Sequence, residues 1–119
     1  MQERRYPRTA RVNELVREVL ADELELISDT RLGFVTVTGV EVTADLRQAT
    51  VYYSVFGPDE RHEETAEALR SATGHLKAAL ARQARLKYVP NLIFREDPAV
   101  AKGERVEEII RQLHAKGDG

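Results

Sequence analysis

Residues 34–56 read FVTVTGVEVTADLRQATVYYSVF. Apolar and polar residues alternate on either side of the turn-forming TADLR, which predicts two strands joined as a hairpin. The first half carries a fault in its pattern: Val35 and Val37 share one parity, whereas Val40 and Val42 have the other. Strand side chains alternate between faces with a period of two, so one extra residue near Thr38-Gly39 is needed to bring all four valines to one face. That residue is an expected β-bulge. In the second half both parities are bulky, with Val51, Tyr53 and Val55 against Tyr52 and Phe56, which predicts a central strand.

Upstream of the hairpin, Val12, Leu15, Val16, Val19, Leu20, Leu24 and Ile27 recur at helical spacing and predict an amphipathic helix from about Thr9 to Ser28, with Thr9 as its N-cap. Downstream, DERHEETAEALRSA opens a second helix whose early carboxylates suit the positive end of the helix dipole. Its pattern runs on through HLKAALARQARLKY, interrupted by Gly74. Glycine inside a helix costs about 1 kcal/mol relative to alanine, so a kink or a break between two helices is expected there. Pro90 ends the helical region and opens a short strand, NLIFRE, at an edge position. A last amphipathic pattern, with Val106, Ile109, Ile110 and Leu113, predicts a short C-terminal helix.

The resulting order is αββααβ. The first two strands pair as an antiparallel hairpin; the third returns through the helices and lies parallel to the second. The expectation is an α+β domain with a three-stranded mixed sheet covered by helices on one face, the topology of a type II KH domain. Residues 1–97 form this KH-like domain in that reading, and residues 98–119 a C-terminal extension.

The charge pattern is uneven. A chain of 119 residues with formal net charge −2 places ten of its 18 basic residues, and one of its 20 acidic ones, in residues 1–11 and 70–95. The bases are Arg4, Arg5, Arg8 and Arg11, then Arg70, Lys77, Arg82, Arg85, Lys87 and Arg95. Acids concentrate in Glu18, Asp22, Glu23, Glu25 and Asp29 and again in Asp59, Glu60, Glu63, Glu64 and Glu67. A polarised domain with one phosphate-seeking side follows. The basic stretch alone also fits a solvated helix face, with Leu76, Leu80 and Leu86 packed inward.

KH domains grip single-stranded nucleic acid through a GXXG loop between two helices. Here no two glycines stand three apart, and the junction carries Ala72-Thr73-Gly74 instead. With that Ala-x-Gly, SDTRLGFVTVTGVEVTADLRQATVYYSVFG (28–57) and RLKYVPNLIFREDPAVAKGERVEEII (85–110) resemble ribosome-binding factor A, a family of bacterial small-subunit assembly factors. The likeness spans nearly the whole chain, which ends soon after the last predicted helix without the long polar tail of some members. It implies a KH-like fold with a helix kink at Ala72, Thr73 and Gly74. It also implies binding to the free 30S subunit, late maturation and processing of 16S rRNA, and cold adaptation. With it, the basic stretch reads as RNA-facing, and Arg4, Arg5, Arg8, Arg11, Lys77, Arg82, Arg85, Lys87 and Tyr88 become the candidate RNA-binding residues.

No catalytic set emerges. The chain lacks cysteine, which excludes disulfides and thiolate sites. His62, His75 and His114 have no ligand-type partner at helical spacing, and Ser28, Ser54 and Ser71 lie in no nucleophile elbow. No metal, cofactor or enzymatic activity is expected. The longest strictly apolar run is Ala78–Ala81, far short of the ~18 residues that span a membrane, so a cytoplasmic monomer is the expectation. The competing reading is a protein-interaction or dimerisation module that uses the apolar stripe of the C-terminal helix.

Overall fold

A computed structural model describes residues 8–33, 35–86 and 88–99. The elements are α1 (Arg8–Leu26), a 3-10 turn (Thr30–Leu32), β1 (Val35–Val42), β2 (Gln48–Val55), α2 (Asp59–Gln83) and β3 (Asn91–Glu96). The predicted C-terminal helix lies outside the described residues. The chain is already helical at Arg8, so Thr9 lies within the first turn of α1 and does not cap it.

The three strands form one sheet in the order β1-β2-β3, antiparallel between β1 and β2 and parallel between β2 and β3. The parity fault in β1 is resolved as the valines require. The register shifts between Val37 and Gly39, leaving Thr38 as the extra residue. Val37 and Val40 are buried, and Val35 and Val42 pack against the same core. The bulged Thr38 is anchored by its hydroxyl, which donates to Asp97 Oδ2 at 2.7 Å.

β2 is central, though not because both of its faces are filled. Ala49, Val51, Tyr53 and Val55 point into the core, whereas Thr50, Tyr52 and Ser54 on the other face are half-buried. Phe56 lies beyond the strand and is 77% exposed. Hydrogen bonding on both edges makes the strand central.

The core is built by one stripe from each layer. α1 supplies Val16, Val19, Leu20 and Leu24, and α2 supplies Ala68, Leu69, Ala72, Leu76, Ala79 and Leu80. Both helices therefore cover the same face of the sheet. In α2 this stripe stays in phase across Gly74, which corrects the expected αββααβ order to αββαβ. The helix is continuous for 25 residues. A break would turn Leu76, Ala79 and Leu80 away from the core, and burying such side chains is worth about 1.5–3 kcal/mol for each leucine, more than glycine's penalty of about 1 kcal/mol. What survives at the predicted kink is local: Thr73 Oγ1 donates back to the Leu69 carbonyl at 3.0 Å, a bond that bends helices without ending them.

The two helices are joined by a polar clasp. Glu23 of α1 is buried, and its carboxylate accepts from Gln83 Nε2 at 3.3 Å and pairs with His75 Nε2 at 2.7 Å. His75, Ala79 and Gln83 stand four apart on α2, so the small Ala79 leaves room for the carboxylate between its two partners.

Candidate nucleic-acid interface

The parallel pairing decides which basic residues meet. β3 starts beside the start of β2, with Asn91 opposite Gln48, so the link between α2 and β3 must run past the β1–β2 turn. Hydrogen bonds close this end of the molecule. The Asn91 N–H donates to the Arg47 carbonyl at 2.9 Å, and Lys77 Nζ donates to Asn91 Oδ1 at 2.9 Å. From the other side, Asn13 Oδ1 accepts the Val42 N–H at 2.8 Å and brings the first turns of α1 to the same hairpin end.

Six of the candidate residues stand on the elements that meet there. Arg8 and Arg11 are exposed on the first turns of α1, Arg82 is exposed in the last turn of α2, and Arg85 is exposed just past it. Lys77 is half-buried beside Asn91, and Tyr88 is 47% exposed. Arg4, Arg5 and Lys87 lie outside the described residues. Ala72, Thr73 and Gly74 lie on α2 just ahead of Lys77, about 4.5 Å of helix from it, and about 14 Å from Gln83 at the helix end. Ala72 is buried against α1, whereas Gly74 is exposed and a Cβ there would meet no atom within 4 Å.

One member was missed in the sequence. The Arg47 guanidinium lies over the Tyr88 ring, 5.0 Å from its centroid, within the range of a cation–π contact. Arg47 belongs to the turn and Tyr88 to the segment after α2. A parallel β3 makes the two neighbours, so topology was the available signal.

The turn is made for holding Arg47. Thr43 Oγ1 donates to Asp45 Oδ1 at 2.6 Å, the Arg47 N–H donates to the same oxygen at 3.1 Å, and the Leu46 N–H donates to the Thr43 carbonyl at 2.8 Å. The Thr43 hydroxyl, followed by the Arg47 N–H, holds the Asp45 carboxyl below its usual range. Leu46 has φ 60° and Arg85 φ 50°, and among the described residues these are the only non-glycine positions with positive φ.

The opposite end is acidic. α2 begins with Asp59 and Glu60, and Glu96 closes β3. His62 faces an oxygen from each ring nitrogen, Glu96 Oε1 at 2.5 Å and the Gly57 carbonyl at 3.1 Å. At this end Arg31 holds the Asp29 carboxyl below its usual range by a side-chain hydrogen bond, with the Arg31 N–H adding a second. His62 and His75 thus each tie separate elements together.

Among the described residues no group of three or more His, Asp or Glu could hold a metal ion. The cleft between α1, the 3-10 turn and β1, about 390 Å³, has a mixed lining, with Leu24, Ile27, Leu32 and Val37 beside Glu25 and Asp29. No described helix is long and apolar enough to cross a membrane.

A three-stranded mixed sheet with both helices on one face defines the class of small KH-like domains of type II topology, here with Arg47, Lys77 and Tyr88 brought together at the hairpin end. The particular family is ribosome-binding factor A, to which the chain belongs: the family model for ribosome-binding factor A matches residues 8–110. Ribosome-binding factor A of Geobacter sulfurreducens is 38% identical over 112 residues, covering 93% of this chain and 95% of that protein. The crystal structure of ribosome-binding factor A from Thermus thermophilus matches with a TM-score of 0.69 at 32% identity, over 76% of this chain and 97% of that one. A homology model of the Thermus thermophilus factor, fitted into the cryo-EM map of a 30S–RbfA complex, matches with a TM-score of 0.61 at 32% identity, over 72% of this chain and 91% of that one.

Proposed function

We propose that this chain is a non-catalytic RNA-binding factor that associates with the free 30S subunit during its late maturation, supports processing of 16S rRNA and serves growth in the cold. The observation that carries this reading is the meeting, at one end, of three separate stretches of sequence that carry Arg8 and Arg11, Arg47, and Lys77, Arg82 and Arg85. Family membership supports it, as does the Thermus relative fitted into a 30S complex. Arg4, Arg5 and Lys87 extend the same surface in this proposal. Residues 1–97 act as the KH-like RNA-binding unit, residues 98–119 as an extension, and the protein works as a cytoplasmic monomer.

The mechanism is recognition of rRNA shape. Basic side chains neutralise backbone phosphates, and the bare backbone at Gly74 offers a second, close approach along α2. Binding energy then favours one conformation of an immature particle over its alternatives. The test is co-sedimentation of the purified protein with isolated 30S subunits, 50S subunits and 70S ribosomes. Retention by 30S subunits alone is expected; equal retention by all three, or by none, overturns the proposal.

A further inference from the structure

The strain in the backbone points to one pair of side chains. A non-glycine residue at positive φ is uncommon, and strain of this kind clusters where a site is held in place. Leu46 immediately precedes Arg47, and Arg85 turns the chain out of α2 three residues before Tyr88. The two strained positions therefore frame the Arg47–Tyr88 stack.

A purely structural role accounts poorly for this arrangement. The hairpin is already tied to β3 by the Asn91 N–H to Arg47 carbonyl bond and by the parallel ladder. The stack stays open to solvent, with Arg47 exposed and Tyr88 47% exposed. Among the described residues no carboxylate forms an ion pair with the Arg47 guanidinium, and the Asp45 carboxylate beside it is engaged by the Thr43 hydroxyl and the Arg47 backbone. Lys77 stands close by through Asn91.

Planar, exposed and positively charged groups in layers are what an unstacked nucleobase meets in a protein: the base adds a further layer while neighbouring cations take the phosphates. We infer that Arg47 and Tyr88 form a stacking site for one unpaired base of RNA. The inference rests on the RNA-binding reading above and narrows it to an unpaired segment. Arginine is required in the role, because lysine carries the same charge without a plane.

The test uses the full chain and a 12-nucleotide single-stranded RNA carrying one 2-aminopurine, whose fluorescence falls when it stacks. The same strand annealed into a duplex is the control. Quenching is expected with the single strand and not with the duplex. Tyr88→Ala should weaken single-strand binding roughly 5- to 150-fold and remove the quenching, with Tyr88→Phe restoring both. Arg47→Lys should keep the salt dependence of binding and lose the quenching, which separates stacking from charge and from fold. Variants that melt with the wild type yet quench as it does overturn the inference. Wild-type protein that co-sediments with 30S subunits without quenching overturns it while ribosome binding stands; loss of both overturns the two together.

Discussion

At Gly57 the backbone takes φ 141°, and a Cβ there would lie 2.7 Å from Cδ and Nη1 of Arg61, whose guanidinium donates to the Phe56 carbonyl. Gly57→Ala is therefore expected to cost about 1–2 kcal/mol, read as a lower urea midpoint with an unchanged slope. Gly74 is the opposite case. It sits in regular helix, exposed, with no atom within 4 Å of a Cβ. Gly74→Ala should raise stability by up to about 1 kcal/mol through helix propensity alone. If the glycine serves the subunit and not the fold, the same protein should bind 30S subunits more weakly while melting higher; unchanged affinity would show that the exposed backbone at Gly74 is not used.

At the scale of elements, α1 and α2 depend on their clasp. Glu23→Ala leaves His75 and Gln83 without their carboxylate and removes hydrogen bonds to a charged, buried group. A loss of about 1.5–3 kcal/mol is expected, measured by chemical denaturation, with Glu23→Gln recovering part of it. Such long-range ties were invisible in the sequence, because nothing local distinguishes Glu23 from the exposed Glu18 and Asp22 beside it. What was legible came from short-range pattern. The parity change at Thr38-Gly39 announced the bulge, and Pro90 announced an edge strand, because each is a local conflict with one economical solution. The break that Gly74 suggested does not occur for a related reason: its local cost is real, and only the stripe running from Leu69 to Leu80 outweighs it. Arg47 was unreadable locally, since its partner lies 41 positions away and meets it only through the parallel pairing of β3.

Over the whole molecule, charge is separated along the length of α2, with Asp59 and Glu60 in its first turn and Arg82 in its last. Binding driven by the basic end should weaken by roughly 10³-fold or more between about 50 and 200 mM salt if six or more phosphates are neutralised. The double change Arg11→Glu with Arg82→Glu, both exposed, should flatten that dependence and leave the melting temperature within the range of ordinary surface substitutions, about ±0.5 kcal/mol each. Acid should affect the fold itself. Asp29 and Asp45 have carboxyls held below the unfolded range by Arg31 and by Thr43, so their stabilisation is complete above that range and is lost as pH falls through it. Thermal melts taken from about pH 6 down to about pH 2 should show this decline.

β3 is the last described strand, and its pairing with β2 is parallel and non-local. During synthesis the β1–β2 hairpin can form as soon as residue 55 emerges, but Tyr88 and Asn91 reach Arg47 only after the whole of α2 has followed. A nascent chain stopped inside α2 therefore carries arginines without the end on which they converge. The contact between Arg47 and Tyr88 thus requires that the chain through β3 be present, long after the hairpin that carries Arg47 is complete.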